Sequence, residues 1–371
     1  QFGNPQFITD YVLLINFSFF GTIFMEISLP LLFLTAPIIL ALLSSVVALG
    51  ADRYPILLRG VAFLLLGLAG LTAIIVGGNV LIDNSIFTAR LPFGLSWMQW
   101  NLRLDSLSGF FFIIIGLITT ATSLYGPGYV REFEHGPYPL SVLGVFTGLF
   151  IAGMMLVLLA DDAFMFMVAW EMMSLSSYFL VAYQHLHAVN RRAAFLYLLM
   201  AHLGALCILL SFSILASFGG DFTFAVMRHT ELSLTWTSLA FGLGLLGFGM
   251  KAGLVPVHAW LPEAHPVAPS HISALMSGVM LKVAIYGLIR LVFDLLGNPH
   301  WSWGIILLLI GSSSAFLGIL YALLQTDLKR LLAYSSIENV GIICIGLGLS
   351  ILFWATGHPQ VAVLAMIAAL Y

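Results

Sequence analysis

The chain has 371 residues, 61% of them hydrophobic and only 8% charged, where a soluble domain carries about 25% charged residues. A formal net charge of −3 supplies no basic face for nucleic acid, and the two cysteines, Cys207 and Cys344, show neither CxxC nor paired Cys/His spacing and read as packing residues. Repeated apolar runs separated by short polar connections exclude a pair of soluble domains and indicate an all-α polytopic membrane protein.

No Lys or Arg precedes Arg53, so the start of the chain lacks the basic region of a secretory signal peptide. Residues 1–27 are expected to be a leader or interfacial segment: the run at 11–25 is apolar but short, and Met25 is a candidate natural start. Runs near residues 28–50, 55–78, 105–125, 139–160, 162–183, 191–217, 233–258, 271–296, 300–324 and 328–352 each reach the roughly 20 residues needed to span a bilayer, and an eleventh begins near 360. About ten to eleven transmembrane helices are therefore expected. Alternating the connections places Arg53, Arg59, Arg131, Arg191, Arg192, Lys329 and Arg330 on one side and Arg90, Arg103, Arg228 and Arg290 on the other. The richer side is cytoplasmic by the positive-inside rule, which leaves 79–104 and 218–232 as the larger external loops.

Five ionisable side chains fall deep inside these runs: Glu171, His202, Lys251, Lys282 and Glu338. At about 1.5 Å per helical residue, Glu171 lies roughly 14 Å from Asp162, His202 roughly 15 Å from Arg192, Lys282 roughly 18 Å from Ser270 and Glu338 roughly 12 Å from Arg330. Half a hydrocarbon core is about 15 Å, so the five are expected in a row along the midplane. A charge at that depth costs roughly 2.5 to 3.5 kcal/mol on insertion scales, which makes an intramembrane ionisable group a functional candidate.

The segment 241–262, FGLGLLGFGMKAGLVPVHAWLP, is the most informative. Pro256 cannot donate within a helix and clashes with the preceding turn, so the helix should break just after Lys251, with Gly253 in the break. Interrupted membrane helices leave carbonyls and helix ends free to meet ions or water; a kinked helix with a snorkelling lysine is the plainer alternative. Gly242-x-Gly244-x-x-Gly247 matches a dinucleotide string literally, but it lacks the strand before it and the βαβ context. Gly144-xxx-Gly148 and Gly249-xxx-Gly253 read as close-packing faces.

Burial favours the neutral form of either a carboxyl or an amine, and an oppositely charged partner favours the ionised form. Moving Glu171 toward or away from a lysine could therefore switch proton occupancy; one inert ion pair would account for Glu171 and one lysine but not for the second. His202 reads either as a relay member or as a hydrogen-bonded packing residue. Glu338 has Ser335, Ser336 and Asn339 beside it, a hydrated setting. His258, His265 and His271 surround a loop with Glu263 in which no zinc spacing occurs, so His258 suggests a proton entry or a structural turn. Ser270 is expected to cap the next helix. No nucleophile and base pair, phosphate loop or cofactor ligand set appears, so no cofactor is expected and any redox chemistry belongs to other subunits.

At WEMMSLSSYFLVA, FGMKAGLVPVHAWLPEAHPVAPSHISALMSGVMLK and DLKRLLAYSSIENVGII the chain resembles the antiporter-like proton-conducting subunits shared by respiratory NADH:quinone oxidoreductase, multisubunit cation/proton antiporters and membrane-bound hydrogenases. Within that superfamily these runs are most similar to the branch of hydrogenase-4 component B and formate hydrogenlyase subunit 3. The resemblance implies inverted five-helix repeats with a broken helix. Residues 28–138 would be N-terminal transmembrane helices, 139–296 the first proton-conducting repeat, and 300–371 the start of a truncated second repeat. It further implies that Glu171 is the fifth-helix glutamate, Lys251 the broken-helix lysine paired with it, and Lys282 the central relay lysine. His202 stands where some relatives carry a basic residue.

Protons would then reach Lys251 through a half-channel at the Pro256 break, pass to Lys282 and continue along the midplane. Expected partners are other antiporter-like membrane subunits and a peripheral hydrogenase or dehydrogenase arm, in a bacterial or archaeal cytoplasmic membrane. The same residues would serve a subunit of a multisubunit Na+/H+ antiporter, and an inert membrane anchor is the third reading.

Overall fold

The computed structural model describes residues 31–95 and 98–371. The expected segment 1–27, with its short apolar run and Met25, lies outside them. Eight helices among the described residues are long and apolar enough to cross a membrane, and Leu34–Ala48 and Pro359–Leu370 are shorter apolar helices. Large apolar side chains stand exposed along them, Leu124 at 80% and Leu309 at 67%. Such surfaces belong against lipid or partner helices rather than water.

The chain divides into two compact units. The first runs up to Leu198 and takes in Val267–Val283. It contains α1 (Leu31–Ala48), a π turn at Leu57–Ala62 leading into α2 (Phe63–Asp83), strands β1 (Phe87–Leu95) and β2 (Met98–Leu104), α3 (Ser106–Tyr129), α4 (Leu140–Leu159), α5 (Ala163–Val181), and the first part of α6 (Ala188–Gly219). It also holds α10 (Ser270–Leu275) and the π turn Met276–Met280 that leads into α11 (Leu281–Ile289).

An antiparallel hairpin of β1 and β2 occupies most of the stretch expected to be a larger external loop at 79–104. Its cause is visible in the chain: Met98, Trp100, Leu102 and Leu104 alternate with Gln99, Asn101 and Arg103, the period of a strand with one wet face. The hairpin is tied down by Asn101 N–H donating to Asp162 Oδ2 at 2.9 Å and by Asp161 N–H donating to Asn101 O at 2.9 Å. Asp162 also caps α5 through Met165 N–H at 2.6 Å. Burial pushes the Asp162 carboxyl above its ordinary range, against the downward pull of these two N–H donors.

Helices α2 and α3 meet along a seam of glycines spaced seven apart, Gly70 and Gly77 facing Gly116 and Gly109. A Cβ on Gly70 would stand 2.7 Å from Gly116 O, and one on Gly116 would stand 2.5 Å from Gly70 O. Lipid tails are as apolar as leucine, so close backbone approach is what joins such helices. Gly144 and Gly148 of α4 lie against α1 in the same manner, a Cβ on Gly148 falling 2.5 Å from Ala41 O.

The second unit holds Leu199–Pro266 and Ala284–Tyr371. It includes the rest of α6, α7 (Phe224–Met227), α8 (Leu234–Ala252), α9 (Leu261–Val267), the π turn Arg290–Leu295 that ends the Ser270–Leu295 span, α12 (Trp301–Leu323), α13 (Leu328–Ala355) and α14 (Pro359–Leu370). Helices α12 and α13 repeat the glycine device: Gly304, Gly311 and Gly318 are spaced by seven, as are Gly341 and Gly348. A Cβ on Gly311 would lie 2.7 Å from Gly341 O, and one on Gly304 would lie 2.7 Å from Gly348 O.

Candidate functional site

Lys251 is 2% exposed, in the last turn of α8. The helix stops one residue later because Gly253 adopts φ +80°, a left-handed conformation that glycine tolerates without Cβ strain. Gly249 O accepts from both Gly253 N–H and Leu254 N–H at 2.9 Å, and Trp260 Nε1 donates to Met250 O at 2.7 Å. These bonds satisfy carbonyls that a helix end otherwise leaves orphaned. The Gly249-xxx-Gly253 pair is therefore not a helix-packing face, as its spacing suggested, but part of the local turn; a Cβ on Gly249 would meet only Leu254.

Beyond the break the chain continues through the cis Val255-Pro256 bond to a half-buried His258 and then α9. Ser314 of α12 fixes this irregular stretch. Its Oγ accepts from Val255 N–H at 3.0 Å and donates to Ile310 O at 2.7 Å. Ser314→Ala is expected to lower stability by about 1 to 3 kcal/mol, the cost of leaving a buried donor unmatched. Thermal unfolding in detergent reads it, and an unchanged midpoint would show that Ser314 does not hold the break. Along the outer side of the break runs an apolar cleft of about 290 Å³ lined by Gly242, Leu245, Val255, Pro256 and Ile310.

The same unit carries Glu338, half-buried on α13 where Gly318 lets the helices close, a Cβ there lying 2.7 Å from Glu338 N. Helix α9 is secured to the start of α13 by the Arg330–Glu263 ion pair and by Lys329 Nζ donating to Pro266 O at 3.4 Å. His202 is exposed on α6.

In the first unit Glu171 is half-buried on α5 and Lys282 half-buried on α11. Lys282 Nζ donates to Ser277 O at 2.6 Å, inside the π turn Met276–Met280. Single π turns inside α-helices recur at functional sites. Ser270 does not cap α10 as expected: Pro269 precedes the helix without a side-chain cap, and Ser270 N–H donates to Tyr129 Oη at 3.1 Å. His271 is buried edge-on between Phe63 and Tyr129, with ring centroids 6.0 and 5.4 Å away.

Tyr197 joins this group although its sequence context did not single it out. It is 1% exposed, with Oη 2.5 Å from Ser177 Oγ on α5 and 3.6 Å from Met280 Sδ in the π turn. Ser177 Oγ in turn donates to Met173 O at 2.7 Å. Tyr197 also lies close enough to Glu171 for the two to interact electrostatically. One hydroxyl therefore links the helix of Glu171 to the π turn whose Ser277 O accepts from Lys282. Among the described residues no three His, Cys, Asp or Glu side chains gather as metal ligands.

The family model described as "NADH:quinone oxidoreductase/Mrp antiporter, TM" matches residues 160–367. Hydrogenase-4 component B of Escherichia coli (strain K12) is 42% identical over 335 residues, covering 89% of this chain and 49% of that protein. Formate hydrogenlyase subunit 3 of the same strain is 30% identical over 309 residues, covering 80% and 48%. The chain thus spans about half the length of these curated relatives. Among solved structures, a chain of the membrane-bound sulfane sulfur reductase, an archaeal respiratory membrane complex, superposes with a TM-score of 0.73 at 25% identity, covering 91% of this chain and 55% of that one. The match of more than half its residues to that model, together with these relatives, shows that this multi-pass helical membrane chain belongs to the NADH:quinone oxidoreductase/Mrp antiporter family.

Proposed function

We propose that the chain is a proton-translocating membrane subunit of a redox-driven complex of the hydrogenase-4/formate hydrogenlyase or NADH:quinone oxidoreductase type. The observation that carries this reading is a nearly fully buried lysine, Lys251, in the last turn of helix α8, which stops at Ala252. A buried ammonium is costly, and because its charge depends on its surroundings it suits a group that takes up and releases a proton. In this reading Glu171 and Lys251 act as a switching pair. Lys282 receives the proton, and His258, His202 and Glu338 lie on its way in or out. The partners are further antiporter-like membrane subunits and a peripheral hydrogenase or dehydrogenase arm, in a bacterial or archaeal cytoplasmic membrane.

The test is the native complex reconstituted into liposomes containing a pH-sensitive dye. Redox substrate should acidify one side at the same rate in sodium-free and sodium buffers. The family also includes Mrp antiporters, which favours a second reading as a subunit of a multisubunit Na+/H+ antiporter. That reading predicts proton movement without redox substrate and only with sodium present. Absence of any proton movement by an intact, catalytically active complex would leave only a membrane anchor.

A further inference from the structure

An open groove of about 320 Å³ begins at Arg59 and runs along the flank of α2 and α3 in the first unit. Leu64, Leu68, Leu71 and Leu124 line it as exposed side chains, and Phe63 and Ser123 line it as buried ones. Gly60 keeps the end beside Arg59 open, since a Cβ there would meet only Ile56 Cγ1, at 3.9 Å. The hydroxyls along the groove donate to backbone, Thr120 Oγ1 to Gly116 O at 2.8 Å and Ser123 Oγ to Thr120 O at 2.7 Å. With those donors spent, the groove beyond Arg59 offers a ligand an apolar lining.

Arg59 supplies the opposite chemistry. It stands two residues into the Leu57–Asp83 span, whose 27 residues, about 40 Å of helix, are long enough for the ends to reach the headgroup layer. The side chain is 27% exposed and pairs through Nε with Glu134 Oε1 at 2.9 Å. That contact uses one nitrogen of the guanidinium, which has five N–H donors in a fixed fork, and holds the fork in place for a second anion. Phosphate oxygens match that fork in pairs.

The groove's length identifies what fits it. It extends to Leu71, twelve positions beyond Arg59 or about 18 Å of helix. One leaflet of the hydrocarbon core is about 15 Å thick, whereas a partner's membrane helix crosses about 30 Å. A slot one leaflet deep, with a cation at its interfacial end, has the dimensions and polarity of a lipid.

We propose that this groove binds a membrane phospholipid, with its phosphate on Arg59 and one acyl chain lying along Leu64, Leu68 and Leu124. Basic pockets between membrane helices recur as headgroup sites. The site stands apart from the proton-translocation reading and survives its failure.

The probe is phosphatidylglycerol with a photoreactive diazirine midway along one acyl chain, added to the complete complex in detergent, with the labelled peptides mapped by mass spectrometry. Label should fall within residues 60–71 and 120–127. Unlabelled phosphatidylglycerol should displace it, and diacylglycerol with the same chains but no phosphate should compete at least about tenfold less well. Arg59→Gln should lower labelling about tenfold, the scale of one charge-assisted hydrogen bond. Gly60→Leu, which fills the slot without a backbone clash, should lower it as far and leaves Arg59 and Glu134 in place. Equal labelling of the unaltered complex and Gly60→Leu would overturn the site, as would equal competition by diacylglycerol, because the lipid would then be ordinary boundary solvent. Absence of label from both stretches in the unaltered complex would also overturn it, the result expected if a partner subunit covers the groove.

Discussion

Lys251→Met in the assembled complex is expected to abolish substrate-driven proton uptake, and Lys251→Arg is expected to abolish it just as fully. The two variants separate the roles a buried lysine can have. Methionine keeps the approximate length and apolar stem of the side chain but removes the titratable group, so the proton carrier is lost and coupled uptake with it. Arginine keeps the positive charge and can satisfy an ion partner, yet its guanidinium does not release a proton at working pH. A purely electrostatic or structural lysine would tolerate arginine. Uptake by Lys251→Arg at more than half the normal rate, in vesicles where redox turnover is intact, would falsify the assignment of Lys251 as a carrier. Stability should fall more for methionine than for arginine, because removing one member leaves its partner buried without a counter-charge.

Gly341→Leu should disrupt the second unit, lowering stability by more than about 3 kcal/mol and preventing accumulation of the folded complex, the upper end of the range for overpacking. The Cβ position at Gly341 lies 2.5 Å from Ala315 N and 2.6 Å from Gly311 O. Both obstacles are backbone atoms of the facing helix, so no rotamer change relieves them and α12 and α13 must part. Gly242→Ala is the control, since its Cβ would meet nothing within 4 Å. It should be neutral or slightly stabilising, because alanine favours the helix by up to about 1 kcal/mol. Thermal unfolding of both variants in detergent makes the comparison, and equal midpoints would remove the close-packing account.

How much of this was legible in the sequence follows the range of each interaction. The stop after Lys251 depends on Gly253 and Pro256, residues within five positions, and local chemistry of that kind is visible in a string of letters. The membrane class was equally plain from composition. The β1–β2 hairpin was legible in the alternation of residues 98–104 but is hidden when the surrounding runs are scanned at helical length. The seven-residue glycine spacing is also present in the chain, yet it acquires meaning only when a second helix offers glycines at matching heights. Tyr197 and Met280 are 83 positions apart, and Arg228 and Asp294 are 66 apart. Nothing local marks such pairs. Arg290 in particular looked like an ordinary helix-end charge until Asp294 and Arg228 closed over it.

The glycine contacts between α12 and α13 have a mechanical consequence. With main chain resting on main chain, there is no cushion of flexible side chains to absorb sliding or bending, so the hairpin is a stiff strut. Ser314 on that strut grips Val255 at its rim. Compliance in this unit is thereby concentrated in the few residues from Gly253 to Trp260, a joint hung on a rigid post. A rearrangement of that joint would alter the surroundings of Lys251 while the strut stays fixed.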